Sequence, residues 1–425
     1  MPSSSPPPAQ ATVWELPRHG SMQVPVRLYA TRSAVQRLAA SERERLEAMA
    51  CLPGLVGASH ALLGVSRDGA AAVGRVAAFD LDGAAAAWPG GVGLDPGRGA
   101  SLLRTGIAAS ALPARAPRLV AELRRALAPV ELDSHGLQAA LEGGARWAVS
   151  QGWGDAADLR RIEDGGRAAG VEPHAVSALG LRRFAQDLDD GWGDQAALQL
   201  LEVQQVFGDD AEHGFGLRRG ELVLGVQGGA RRLARQVSLD YLRQMRAVAG
   251  TQPAPVAALV WVEAGSVLGQ CYLGALRAVA NGALARRQLL TQAARQAFER
   301  VFPGCRLDLL HDGASSSCRE EVHAVDGRLR RLLVHRCAAA RVLAPGHPEL
   351  PADMAAFGHP VLLAGRESGH VLVGCPGNSH HALASLGMVG AGASGRRLDA
   401  IALGAEAAGL ARRVARLLPR LCLGG

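Results

Sequence analysis

The sequence contains no lysine, so all 46 of its basic side chains are arginines. Aromatic residues make up only 4% of the chain and charged residues 20%, whereas 48% of residues are apolar. This composition excludes coiled coils, collagen-like chains and fully disordered chains. No apolar run is long enough to span a bilayer, and the Ser/Pro-rich residues 1–10 lack the features of a signal peptide. We therefore expect a cytoplasmic globular protein without a membrane segment.

Cysteines are few, and no two of them form a CxxC pair. The seven are an odd number and lie far apart along the chain, which argues against a zinc site and against a disulfide framework. The formal charge of +7 suits a polyanionic partner. A GC-rich genome produces the same enrichment in Ala, Arg and Gly, so the charge alone does not decide between these two explanations.

Hydrophobic periodicity predicts a mixture of strands and helices separated by glycine-rich loops. Buried or half-buried strands are predicted at residues 24–30, 73–79, 221–227, 255–262, 330–335, 360–363 and 370–374. Amphipathic helices are predicted at residues 33–50, 117–127, 137–149, 155–169, 232–248, 271–302 and 399–418. The pattern indicates an α/β chain of mixed α+β type without a convincing linker, in which residues 1–20 form a flexible start and residues 21–425 one large domain.

Three patterns in the sequence are typical of binding or catalytic sites. Residues 390–395 (GAGASG) satisfy GxGxxG before a predicted helix, but no clear strand precedes them, as a dinucleotide site requires. His311, His380 and His381 belong to a histidine-rich stretch, yet the spacing of paired metal ligands is missing. None of the serines lies in a GxSxG elbow. The sequence therefore does not indicate a dinucleotide-binding dehydrogenase, a metal site or a serine hydrolase.

Several segments, in order along the chain, resemble the RtcB-type RNA ligase family. They are residues 52–54 (LPG), 76–80 (VAAFD), 89–95 (PGGVGLD), 102–105 (LLRT), 144–148 (GARWA), 201–204 (LEVQ), 236–237 (QV), 240–242 (DYL), 325–327 (VDG), 334–336 (VHR) and 345–351 (PGHPELP). The resemblance implies a protein that joins RNA 2′,3′-cyclic-phosphate or 3′-phosphate ends to 5′-hydroxyl ends with GTP and manganese.

The positions that the resemblance assigns to manganese have mostly changed. The family's DxxCG motif supplies an aspartate and a thiolate; Asp95 is retained, but Arg98 replaces the cysteine. A guanidinium stays protonated and has no free lone pair for a metal. Gln199 and Gln227 stand where two metal-binding histidines are implied, and Ser315 stands at a third such position. Of the implied ligands, only Asp95 remains.

The nucleotide-handling positions have changed as well. Ala391 stands where the resemblance implies the histidine that accepts the guanylyl group, and alanine offers no nucleophile. The implied terminal lysine is Gly424, the nucleotide loop is shortened to residues 365–369, and a segment before residues 407–413 is deleted. Glu202 matches a guanine-contacting glutamate of the family. Such concerted losses indicate a degenerate family member that requires no cofactor.

The substitution of Arg98 has a physical explanation that we state as a hypothesis. Without a metal, Asp95 is a buried carboxylate that lacks a countercharge, and Arg98, three residues later, is placed to neutralise it. The alternative is that Arg98 points to solvent or to a bound phosphate. The resemblance implies that Arg231 faces phosphate; Arg182 or Arg183, together with Arg104, are further candidates for contact with RNA phosphates.

We therefore expect an RtcB-like protein that has lost ligation and retains RNA binding or a regulatory role in RNA processing and repair. Its expected partners are RNA rather than DNA, and an active paralogue or another RNA-processing protein. The alternative is an active RNA ligase dependent on GTP and manganese, in which His311, His380 or His381 replaces the lost groups.

Overall fold

Strands with one buried face assemble into two large sheets that pack on either end of a long central helix. The computed structural model describes residues 12–66, 69–127, 130–192, 196–207, 214–248, 259–343, 345–363, 370–374 and 412–424. Within these residues the protein is a mixed α/β molecule, and this confirms the predicted fold class.

The first sheet has six strands in the order β1-β2-β3-β4-β12-β11. Neighbouring strands are antiparallel except for β2 and β3, which run parallel. The strands are β1 (Thr12–Leu16), β2 (Val26–Ala30), β3 (Ser59–Ser66), β4 (Gly69–Asp80), β11 (Ser317–Val325) and β12 (Arg328–Cys337).

The second sheet has seven strands in the order β10-β6-β8-β7-β15-β14-β13, all antiparallel. Its strands are β6 (Gly99–Ala108), β7 (Ala196–Val206), β8 (Glu221–Gly228), β10 (Asp308–Ala314), β13 (Val361–Leu363), β14 (His370–Gly374) and β15 (Arg412–Gly424). A short ribbon pairs β5 (Ala86–Ala87) with β9 (Val262–Glu263).

Seven α-helices lie within the described residues. They are α1 (Arg32–Gln36), α2 (Ala40–Met49), α3 (Ala116–Ala126), α4 (Ser134–Ser150), α5 (Ala178–Asp189), α6 (Arg231–Val248) and α7 (Val267–Val301). Side-chain oxygens of Asp133, Ser177 and Ser266 accept from the backbone N–H groups that start α4, α5 and α7, which satisfies donors that otherwise lack an intrahelical partner.

The central helix α7 has 35 residues and is therefore about 52 Å long. Its first half packs in a core with β2, β3, β4 and the helices α4 to α6, whereas its second half packs in another core with β6, β7, β8 and α3. A third core covers the opposite face of the seven-stranded sheet. No helix of the described residues is long and apolar enough to cross a membrane, and the cytoplasmic location stays a prediction.

Most predicted elements are present, but several predictions need correction. Residues 33–50 form two helices, α1 and α2, because an interruption follows Arg37. Residues 155–169 form 3-10 turns rather than an α-helix, since Asp164 adopts a positive φ of 57°. Residues 412–418, predicted as the end of a helix, belong to β15, and residues 399–411 lie outside the described residues. Part of the predicted flexible start, Thr12–Leu16, forms β1.

Candidate functional site

The candidate site lies at one end of the seven-stranded sheet, where three strands meet. Gly99, the first residue of β6, pairs with Gly228 at the end of β8 and with Ala314 at the end of β10. A Cβ on Gly99 would lie 2.2 Å from the carbonyl oxygen of Gly313, so this close approach of strands requires glycine. The loop before β6 and the turn after β10 are therefore held side by side.

Asp95 and Arg98 occupy the loop that precedes β6. The Nη1 atom of Arg98 lies 3.6 Å from Oδ2 of Asp95, so the predicted contact between the two side chains is present. The hydroxyl and the backbone N–H of Ser315 donate to the carbonyl oxygen of Arg98 at 3.0 and 2.7 Å. Ser315, which follows β10, thus connects this loop to the strand, and its hydroxyl proton is already used in a hydrogen bond.

The carboxylate of Asp95 has an unusual electrostatic environment. Burial raises its pKa, and the positive charges of Arg98, Arg231 and Arg286 oppose this rise. Its Oδ1 atom is buried and accepts no hydrogen bond. A Cβ on Gly229 would lie 3.3 Å from that oxygen and 3.0 Å from the Cα of Arg98. The Oδ1 atom of Asp95 is therefore enclosed and without a hydrogen bond, while the side chain as a whole is half-buried.

Two glutamines lie on adjacent strands beside this loop. The Nε2 group of Gln227 in β8 donates to Oε1 of Gln199 in β7 at 3.4 Å, and Gln227 is buried. Both are neutral amides at positions where the resemblance implies imidazoles. These groups do not fit the donor set of a resident manganese ion. The one carboxylate is paired with a guanidinium, the two amides contact each other, and the Ser315 hydroxyl already donates to a backbone carbonyl.

Two arginines of α7 that sequence patterning did not single out hold the site together. Arg287 is fully buried, and its Nη1 donates to the carbonyl oxygens of Gly97 and Gly228 at 2.8 and 3.0 Å. Arg286 is 2% exposed, and its Nη1 donates to the carbonyl of Gly229 at 2.8 Å. The sequence does contain one sign of their role. Arg286 and Arg287 stand among alanines and leucines of a long apolar helix, where a charged side chain needs a buried partner.

Arg231 is the first residue of α6 and adds an exposed positive charge beside Asp95. The start of this helix is capped by Asp187, whose two carboxylate oxygens accept from the backbone N–H groups of Arg232 and Leu233 at 3.1 and 3.0 Å. Asp187 itself is fully buried. The backbone N–H groups at the start of α6 therefore already bind an internal carboxylate. An external anion would have to bind to the arginine side chains instead.

The two adjacent candidates on α5 differ in their contacts. Arg182 is exposed, and among the described residues it makes no hydrogen bond or ion pair. Arg183 donates to the side chain of Gln186 on the same helix at 2.9 Å. Of these two, Arg182 has the guanidinium that remains available to a ligand.

Two other candidates lie away from Asp95. Arg104 follows Gly99 by five residues along β6, which places it about 17 Å farther along the strand, and its Nη2 donates to Asp308 at 2.9 Å beside a separate cavity of about 1500 Å³. Glu202 pairs with Arg420. It follows Gln199 by three residues in β7, so the two side chains point to opposite faces. The structure does not bring Arg104 and Glu202 to the site.

His311 lies on β10 opposite Leu102 of β6. Its ring stacks on that of His359, with centroids 4.2 Å apart. Burial lowers the pKa of both imidazoles, so both are neutral at pH 7. Neither Nδ1 atom has a hydrogen-bond partner. Because Gln227 pairs with Ala100, two residues before Leu102, His311 and Gln227 share one face of the sheet.

Three further candidates, His380, His381 and Ala391, lie outside the described residues. Their roles stay predictions.

The fold and the site define a mixed α/β protein with a cluster of arginines at the end of an antiparallel sheet. A family model described as “tRNA-splicing ligase RtcB” matches residues 45–406. The chain is similar to the RNA-splicing ligase RtcB of Mycobacterium tuberculosis, with 35% identity over 89% of this chain and 99% of the relative. It is also similar to the tRNA-splicing ligase RtcB of Thermococcus kodakarensis, with 33% identity over 88% of this chain and 80% of the relative. The chain belongs to the RtcB family.

Proposed function

We propose that this RtcB-family protein binds RNA through phosphate groups at the Asp95 site and does not carry out metal-dependent ligation. The observation that carries this proposal is the contact between Arg98 and Asp95, at a position where the resemblance implies a manganese-binding thiolate. Two of the matched relatives are named RNA-splicing ligase and tRNA-splicing ligase, which supports RNA as the partner of this chain.

The charge balance of the site favours an anionic ligand. The guanidiniums of Arg98, Arg231 and Arg286 all act on the carboxylate of Asp95, but Arg286 also faces Asp187 and Asp190. Arg98 and Arg231 together still outweigh the single negative charge of Asp95. Arg98 is partly exposed and Arg231 exposed, and guanidinium groups bind phosphate oxygens through paired, charge-assisted hydrogen bonds. Arg286 is buried and adds to the field without direct contact with solvent. Fixed guanidiniums would thus supply the positive charge that metal ions supply elsewhere in the family.

The first experiment asks whether the chain forms a covalent nucleotide adduct. Purified protein is incubated with α-labelled GTP and manganese beside a family member that retains the implied nucleophile, and the polypeptides are denatured before detection. We expect label on the control and none on this chain. A stable adduct on this chain would overturn the loss of ligation.

A second experiment tests the binding function itself. Anisotropy of a labelled RNA that ends in a 3′-phosphate should report binding that persists in EDTA. The double variant Arg98→Ala, Arg231→Ala should bind at least about tenfold more weakly, since the loss of even one charge-assisted contact of about 1.5–3 kcal/mol lowers the affinity by that factor. RNA binding that requires manganese, or that is unchanged in this variant, would contradict the proposal.

The alternative function is an active ligase that uses GTP and manganese through a substitute imidazole. The observation that favours it is the stacked pair His311 and His359, since both Nδ1 atoms lack a partner and His311 shares a sheet face with Gln227. In that case the labelled adduct should form, and His311→Ala should abolish it. His380→Ala and His381→Ala test the other two candidate imidazoles in the same assay.

A regulatory role beside an active paralogue is compatible with RNA binding. A second gene in the same genome that encodes the intact DxxCG motif and the guanylyl-accepting histidine would favour this role. Co-purification of the two chains is its direct test.

A further inference from the structure

The exposed side of α6 carries a row of arginines. Arg235, Arg243 and Arg246 are exposed, and Leu239 between them is 38% exposed. Positions four, eight and eleven residues apart return to the same side of an α-helix. Leu233, Val237, Tyr241 and Met245 bury the opposite side in the core. We call Arg235, Leu239, Arg243 and Arg246 the α6 outer face.

Most other arginines of the described residues have a partner in the protein, whereas these three have none there. Among the described residues, Arg235, Arg243 and Arg246 make no hydrogen bond or ion pair. The only acidic residue of α6 is Asp240, and its two oxygens accept from the side chains of Ser177 and Gln236, both at 2.8 Å. The positive charge of the α6 outer face is therefore not compensated within its own helix.

The α6 outer face starts at the candidate site. Arg231, the first residue of the helix, acts electrostatically on Asp95, and Arg235 lies one turn beyond it. From Arg231 to Arg246 the helix advances about 22 Å. A strand that stacks at about 3.4 Å per nucleotide covers this distance with about six nucleotides.

We propose that the α6 outer face binds the phosphodiester backbone of single-stranded RNA and guides the strand away from the Asp95 site. This inference rests on the proposed RNA-binding function. One row of arginines follows one backbone, whereas double-stranded RNA is recognised across two successive grooves. Leu239 offers an apolar contact to a ribose or a base within the row. The face would bind RNA without sequence preference, because phosphates carry no sequence information.

The test compares two charge-matched triple variants. Arg235→Ala, Arg243→Ala, Arg246→Ala removes the row and leaves Arg98 and Arg231 intact. The control Arg43→Ala, Arg45→Ala, Arg125→Ala removes three exposed arginines of α2 and α3 that lie near carboxylates. Both variants lower the net charge equally. Circular dichroism and urea unfolding verify that each remains folded.

The readout is the affinity for labelled RNAs of about three and about twelve nucleotides with a 3′-phosphate, measured over a range of salt concentrations. Wild type and control should bind the longer RNA at least about tenfold more tightly, and the row variant should lose this difference. The slope of log affinity against log salt for the longer RNA should fall by about 2 in magnitude, because each lost phosphate contact contributes about 0.7.

The outcomes separate this inference from the proposed function. If wild type binds both RNAs and the row variant keeps the length dependence and the salt slope, the α6 outer face is not a binding surface, although RNA binding stands. If row and control variants lose affinity equally, only net charge matters and the inference is wrong. If wild type binds no RNA, both this inference and the proposed function fail.

Discussion

Arg287 on α7 and Asp312 on β10 form a buried, bidentate ion pair. The Nη2 group of Arg287 donates to Oδ1 of Asp312 at 2.7 Å, and its Nε group donates to Oδ1 and Oδ2 at 3.0 and 3.1 Å. The hydroxyl of Ser101 also donates to Oδ2. The two charged side chains are 0% and 2% exposed. Because Arg287 also binds the carbonyls of Gly97 and Gly228, this pair aligns the loop and the strand ends that form the candidate site.

Replacing Arg287 by leucine should destabilise the protein strongly. The variant leaves Asp312 buried without a countercharge, which costs about 3–5 kcal/mol. The matched control is Arg300→Leu on the same helix, since Arg300 is 44% exposed and lies 3.3 Å from Glu122; it should cost about 1 kcal/mol or less. Urea unfolding measures the free energy of unfolding of both variants. Equal losses would show that the buried Arg287 pair contributes no more to stability than the exposed Arg300 pair.

The contact between Arg98 and Asp95 should contribute to stability. Arg98→Ala removes the nearest positive charge from a carboxylate whose pKa burial already raises. Because Arg98 is 35% exposed, solvent screens the pair, and we expect a loss of about 0.5–1 kcal/mol. The double variant Asp95→Asn, Arg98→Ala should lose less than the sum of the two single variants, with a coupling of at least about 0.5 kcal/mol. An unchanged unfolding midpoint in Arg98→Ala would rule out the neutralising role.

Glu321 should make stability depend on pH in the acid range. Burial alone would raise its pKa, but Arg336, His323 and Arg341 outweigh burial and hold the pKa well below its usual value. A carboxyl with a lowered pKa stabilises the folded state when ionised. That stabilisation is complete above the unfolded pKa of about 4.3 and is lost as pH falls through the folded pKa.

The measurement is the unfolding free energy of wild type and Glu321→Gln from pH 7 to pH 3. The difference between the two proteins should be largest near neutral pH and should shrink below about pH 4. The control is Glu320→Gln at the neighbouring position. Glu320 is 40% exposed and pairs with Arg277 and Arg331, so this variant reports what a more exposed pair of ion contacts contributes. A difference for Glu321→Gln that is constant over this pH range would contradict the assignment.

Manganese should not stabilise this chain. Because Asp95 is the only charged oxygen donor among the implied ligand positions, about 1 mM manganese should shift the melting temperature by less than about 1 °C. A family member with the implied ligands intact should shift by more. If this chain shifts by several degrees and Asp95→Asn abolishes the shift, a metal site exists at Asp95 and the proposed loss is wrong.

The long helices could be predicted from the sequence, whereas the last strand could not. The helices α3 and α6 show the apolar periodicity of half-buried helices, whereas α7 is a long, mostly apolar helix that is buried along most of its length. Residues 412–424 are rich in Leu and Arg, which favour a helix, yet they pair with β7 from Ala415 to Gly424. The contacts between distant strands override local propensity here, and Pro419 within the segment is the local sign against a helix.

The candidate site was predictable only in its local part. Asp95 and Arg98 are three residues apart, so their contact follows from the loop sequence. Arg287 reaches an aspartate 25 residues away, and Arg286 reaches a carbonyl 57 residues away. These partners are brought together by the packing of α7 against the sheet, which residue patterns along the chain do not encode.

The length of α7 has a consequence for how the protein unfolds. Its first half lies in one hydrophobic core and its second half in the other, while its backbone hydrogen-bond ladder is continuous from Val267 to Val301. Neither core can open without exposing apolar surface of the same helix. The two sheets should therefore melt in one cooperative step, with the amide protons near the middle of α7 exchanging with solvent among the last in the molecule.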